Sequence, residues 1–128
     1  MATNTPHLAK ILLCEQITHT LQDKAEFVDE FTSYKAEVFD GSMFYRFEVL
    51  LTICGLKPNK GYGVATKLEG NSERHNRVDQ TKVPVPADEN GNISFSTGFD
   101  FVAPKFEYLT LTAYVDRKPI GSHKIPVE

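Results

Sequence analysis

Hydrophobic and polar positions alternate with a period of two along most of this chain, most regularly from Phe106 to Val115. Leu109, Leu111, Ala113 and Val115 fall on one side; Tyr108, Thr110, Thr112 and Tyr114 fall on the other. That period predicts a strand with one face on a core and one toward water. Asp116-Arg117-Lys118-Pro119 predicts a turn, and Ile120 to Val127 a shorter returning strand whose Pro126 suits a sheet edge. An aliphatic face of this length needs a second sheet or a helix layer above it.

The chain upstream supplies mostly more strands. His7 to Ile17 reads as the first, with Leu8, Lys10, Leu12 and Cys14 on one face and Ala9, Ile11 and Leu13 on the other. Ile11 to Cys14 is apolar on both faces, which predicts a central strand. Thr18 to Phe39 reads two ways. Leu21, Ala25 and Val28 have helical spacing, and Thr20-Leu21-Gln22-Asp23 approximates a capping box. The alternative sets a turn at His19 to Lys24 and a strand from Ala25 to Ser33, with Ala25, Phe27 and Phe31 inward and Asp29 awkwardly on the core face. The strand reading is preferred. Asp40-Gly41 then turns the chain into Met43–Ile53, with Tyr45, Phe47, Val49, Leu51 and Ile53 on one face and Phe44, Arg46, Glu48, Leu50 and Thr52 on the other.

Leu56 to Gly61 carries turn chemistry, and Tyr62 to Leu68 is expected to pair back onto the preceding strand with Tyr62, Val64, Thr66 and Leu68 on one face. Gly70 to Gln80 reads as a polar loop. Thr81 to Pro86 reads as an extended edge segment, because its two prolines lack ladder donors. Asn90-Gly91 predicts a type I′ hairpin turn into Ile93, Phe95, Thr97, Phe99 and Phe101. The sum is an all-β chain: one antiparallel β-sandwich domain of seven or eight strands over residues 1–128, with residues 1–6 a flexible tail.

Composition narrows the function classes. A formal charge of −3 gives no basic footprint for nucleic acid. No apolar run reaches the roughly 20 residues of a membrane span. Cys14 and Cys54 lie in apolar runs without short metal spacing, and no secretory pattern opens the chain, so two buried, reduced cysteines in a cytoplasmic protein are expected.

Chemistry is sought in vain. Asp88-Glu89-Asn90-Gly91-Asn92 imitates the start of a calcium loop, but the sixth and twelfth positions hold Ile93 and Phe99 instead of Gly and an acid. Asp40, Asp88, Glu89 and Asp116 would have to converge from separate loops to hold calcium. His7, His19, His75 and His123 lack zinc spacing. There is no Gly-x-Ser-x-Gly elbow, and Gly121-Ser122-His123 sends serine and histidine to opposite faces of a strand. Neither cofactor nor metal is expected, and no enzyme constellation emerges. What remains is the face of Tyr108, Thr110, Thr112 and Tyr114, to which the outer side of the Met43 strand adds Phe44 and Leu50. Tyrosine supplies large contact area at low entropic cost, so this face is the candidate surface for a protein partner or a second copy. A small-molecule or carbohydrate site on the open sheet or apical loops is the alternative.

Three segments together resemble a family of small, uncharacterised bacterial immunoglobulin-like β-sandwich proteins. Ile11-Leu12-Leu13-Cys14-Glu15-Gln16-Ile17 is similar to its opening strand, and Leu51-Thr52-Ile53-Cys54-Gly55-Leu56-Lys57-Pro58 to its strand ending in a Gly-Leu-x-Pro turn. Phe99 to Val127 is similar to its closing strands, with Phe106-Glu107 where that family has Gly. The resemblance implies an immunoglobulin-like fold and no particular activity.

Overall fold

Alternation along β1 (His7–His19), β4 (Ser42–Cys54) and β9 (Ile93–Ala103) builds the first sheet. The computed structural model describes residues 5–19, 25–35, 37–39, 42–70, 76–80 and 84–128, with the backbone path alone for 17–19, 25–28, 39 and 76–80. β4 is central. One of its edges carries β9 in unbroken antiparallel register from Met43↔Ala103 to Ile53↔Ile93. The other edge is shared: β3 (Glu37–Phe39) pairs with Ser42 to Phe44, and β1 pairs with Glu48 to Cys54. Outside β1 lies β2 (Ala25–Glu30), antiparallel to it.

The second sheet orders β11 (Lys118–Pro126), β10 (Tyr108–Val115), β6 (Val64–Gly70) and β7 (Asn76–Gln80). A short ladder of β5 (Gly61–Tyr62) and β8 (Val85–Pro86) closes one end. The two larger sheets face each other across one core. Tyr45, Phe47, Val49, Leu51, Phe99 and Phe101 from the first meet Leu68, Leu109, Leu111, Ala113 and Ile125 from the second. A second cluster of Ile53, Leu56, Tyr62, Val64, Ile93 and Val115 continues the core toward the β5–β8 end. The described residues are all strand, turn or irregular, in antiparallel sheets packed as a sandwich. They contain eleven strand segments where seven or eight are expected, three of them only two or three residues long.

Several expectations change in detail. A register shift between Leu8 and Lys10 moves Leu8 onto the core side with Ile11 and Leu13, so β1 does not alternate throughout. β1 does lie between two strands, as its apolar run predicts. Ala25 to Glu30 is strand, not helix. Its awkward acid is accommodated by a left-handed backbone: Asp29 has φ 55° and is exposed, while Phe31 reaches the core against Tyr34 and Phe47. Most of the expected turn at 19–24, the turn at 40–41, the segment 81–83 and the first four residues of the tail lie outside the described residues.

Tyr62 to Leu68 keeps its inward face, but the pairing differs. β6 leaves β4 and crosses to the second sheet, between β10 and β7. The expected polar loop contains a strand, β7, paired along the edge of β6. The hairpin signals also trade places. Gly91 has φ 77° whereas Asn90 has no positive φ. The Gly91 N–H bonds to the Asp88 carbonyl and the Asp88 N–H to the Asn92 carbonyl, a three-residue loop ending in a glycine bulge. The type I′ turn lies at Asp116-Arg117, with φ 47° and 72° between the paired Val115 and Lys118. Asp116 is fixed there by Gly63, whose N–H donates to Oδ1 at 2.8 Å and whose carbonyl accepts the Asp116 N–H at 2.9 Å.

Candidate binding face

On β10 the aliphatic side chains are buried, and Tyr108, Thr110, Thr112 and Tyr114 stand half-exposed on the outer face of the second sheet. Neighbouring strands extend this face: Thr110 lies opposite Glu69 and Lys124, and Thr112 opposite Lys67 and Ser122. Lys67 Nζ and Glu69 Oε1 are 3.5 Å apart, and Lys124 Nζ lies 3.8 Å from the centre of the Tyr108 ring. The four sequence-predicted β10 residues therefore share one surface. Phe44 does not join them. It lies on the outer face of the first sheet, on the far side of the sandwich, because Tyr45 and Phe47 of the same strand take the core.

The five tyrosines divide by what their hydroxyls do. Tyr34 O–H donates to the Arg46 carbonyl at 3.1 Å and accepts the Arg46 N–H at 2.7 Å. Tyr45 O–H donates to the Pro104 carbonyl at 3.0 Å and accepts the Phe106 N–H at 3.0 Å. Tyr62 accepts the Lys57 N–H at 2.8 Å. Among the described residues, the hydroxyls of Tyr108 and Tyr114 have no protein partner.

Tyr34 has a particular place. Phe44 bonds β3 and Glu48 bonds β1, so one rung of the β4 edge, at Arg46, belongs to neither strand. The phenol fills that rung, satisfying both backbone groups of one residue. The segment carrying it spans the two sheets: the Phe31 N–H bonds the Leu13 carbonyl, while Tyr34 exchanges backbone bonds with Pro126 and Glu128. Beside this rung opens a cleft of about 800 Å3. Its floor includes Phe31, Tyr34 and Phe47; its walls carry Glu15, Asp29, Glu30, Glu37, Glu48 and Asp100 against Lys35 and Arg46; and Phe44 borders it. Sequence reading misses this site, since Tyr34 sits in the stretch whose spacing is ambiguous and no motif marks it.

Other candidate residues have structural work. The Asp88 carboxylate accepts the N–H groups of Asn90 and Asn92 at 2.8 and 2.9 Å, so the calcium-like sequence is an Asx turn. Cys14 and Cys54 are unpaired; Cys14 is buried but Cys54 only half-buried, which corrects the expectation that both are buried. Burial, helped by the nearby Glu48 charge, pushes the Cys14 thiol up from its ordinary range. His7 and His123 are exposed, and the side chains of His19 and His75 lie outside the described residues. Among the described residues no group of His, Cys, Asp or Glu is arranged to hold a metal, and no helix is long and apolar enough to cross a membrane. No family model matches this chain, and no curated protein matches it either.

Proposed function

We propose that this chain is a non-catalytic, immunoglobulin-like interaction module of the small bacterial family it resembles, cytoplasmic, and that it binds a protein partner through the outer face of β10. The observation that carries this reading is the pair of half-exposed tyrosines, Tyr108 and Tyr114, whose hydroxyls have no protein partner among the described residues. Buried or half-buried tyrosines elsewhere in the chain all engage backbone groups. A rigid aromatic with a half-exposed ring, flanked by threonines and by Lys67, Glu69 and Lys124, is a surface suited to another protein.

The test sets two residues of β10 side by side. Leu111→Ala should cost about 2–5 kcal/mol in denaturant melts, through lost burial and a cavity. Tyr114→Ser should cost less than about 1 kcal/mol. A photo-crosslinking side chain placed at Thr112 should give one discrete adduct in cells that Tyr114→Ser removes. Equal destabilisation by both substitutions, or no adduct, overturns the reading.

The cleft beside Tyr34 favours a second reading, a site for a small polar ligand, since about 800 Å3 lies within the usual range of such sites. Its carboxylates suit amines and sugar hydroxyls. Binding there would shift the amide resonances of Tyr34 and Arg46 and leave those of β10 in place.

A further inference from the structure

The outer strands of the two large sheets are not equally guarded; β3 has only three residues. β2 is six residues long and ends beside the left-handed Asp29. β7 is five residues long. β11 carries Pro119, Pro126 and two lysines, and the register shifts where it pairs with β10. β9 has none of these protections: it runs eleven residues, in unbroken register, with neither proline nor lysine and with Asp100 as its one charge. Natural sheets normally blunt such an edge, because its unpaired backbone groups are a template for another strand.

The unpaired groups can be identified. Arg46 turns its N–H and carbonyl toward Tyr34, hence away from β9, so Arg46↔Asp100 is a non-hydrogen-bonded pair. Asp100 therefore points its own backbone groups away from β4, and the alternation extends this to Ser94, Ser96, Gly98 and Val102. All five are exposed, and none has a further partner among the described residues. Gly98 is the midpoint of the strand. Nothing inside the chain demands glycine there: its φ is not positive, and an added Cβ would meet Glu48 Cγ at an ordinary 3.6 Å. At Gly70, Gly91 and Gly121, by contrast, a Cβ would collide. Glycine in mid-strand also marks a place where another backbone comes close.

We propose that β9 is a self-pairing edge, and that two copies of the chain join antiparallel about Gly98 into one continuous sheet. The register follows from the side chains. Gly98 opposite Gly98 sets Ser96 opposite Asp100 of the second copy, twice by symmetry, so that a hydroxyl faces each carboxylate. It also pairs all five open residues, whereas centring on Asp100 would set the two carboxylates against each other. A single strand edge covers less than the roughly 1,200–2,000 Å2 of a standard stable interface, so the dimer is reversible and depends on concentration. This surface is separate from the β10 face and does not rest on it.

Sedimentation of the full chain across a wide concentration range is the test, with two substitutions at an exposed position. Ser96→Lys brings two opposite charges together and should tighten the dimer several-fold; Ser96→Asp brings two like charges together and should weaken it several-fold. In hydrogen exchange, the amides of Ser94, Ser96, Gly98, Asp100 and Val102 should gain protection as the dimer forms. A chain that stays monomeric at every concentration overturns the proposal. So does a dimer that responds alike to both substitutions, or one lost in Tyr114→Ser and unchanged in both Ser96 variants.

Discussion

Replacing Tyr34 by phenylalanine removes one oxygen and leaves the ring among its neighbours, 5.4 Å from Phe31, 5.8 Å from Tyr45 and 5.2 Å from Phe47 between centres. What is lost is the rung at Arg46: one bond accepted at 2.7 Å and one donated at 3.1 Å. A hydrogen bond nets about 0.5–1.5 kcal/mol, and a buried group left without its partner costs about 1–3 kcal/mol. Two groups are stranded here, but Arg46 borders the cleft, where water can replace the phenol in part. We therefore expect Tyr34→Phe to cost about 1–3 kcal/mol, well short of the roughly 3–5 kcal/mol for Tyr34→Ala, which also empties the ring's place. Equilibrium urea unfolding gives both values, provided the slopes agree. Hydrogen exchange adds a local readout: the Arg46 amide should lose protection in Tyr34→Phe while those of Phe44 and Glu48 keep theirs. A stability change within about 0.3 kcal/mol, with an unchanged Arg46 amide, would refute the idea that the phenol acts as a rung.

Two further outcomes rest on burial. Desolvation raises the Tyr34 and Tyr45 phenols above the ordinary tyrosine value of about 10, against the opposing effect of their backbone bonds. A group raised in the folded state contributes stability that is full below its unfolded pKa and is lost as pH climbs through the folded one. Stability should therefore fall above about pH 10, and less steeply in Tyr34→Phe; parallel curves would count against it. With a thiol reagent under native conditions, half-buried Cys54 should react before the fully buried Cys14, as peptide mass mapping can show; reaction of Cys14 first would contradict the packing.

Alternation made β4, β9 and β10 legible because each has one face on a core, so that every second residue reports the same environment. It could not place Leu8, since a single register shift reverses the parity between the residues on its two sides. β7 left no trace in the pattern because Asn76-Arg77-Val78-Asp79-Gln80 is polar but for Val78, and its pairing with the edge of β6 exists only in the folded sheet. Asp116-Arg117 outranked Asn90-Gly91 as the type I′ turn through a long-range bond, that between Asp116 and Gly63, which no local propensity contains. The candidate site divides in the same way. The β10 face could be read from one strand alone. The distance of Phe44 from it could not, because alternation tells inside from outside but not which of two outer surfaces a residue occupies. Tyr34 was illegible for a further reason: its role depends on a rung left vacant between two strands that meet only in the folded sheet.

The pairing of β4 with β9 also bears on how the chain folds. Phe47 must find Phe99, and Leu68 must find Leu111, across long intervening stretches, whereas Val115 and Lys118 meet across two residues. Closing a long loop carries its entropy cost before any contact compensates it, so sheets of this kind form slowly, in roughly milliseconds to seconds. The β10–β11 hairpin is an element that can form locally and early, with Asp116 and Arg117 already turning the chain. Until the second sheet closes over β4 its core face is uncovered, and during that interval Tyr45, Phe47 and Val49 are open to association with another molecule.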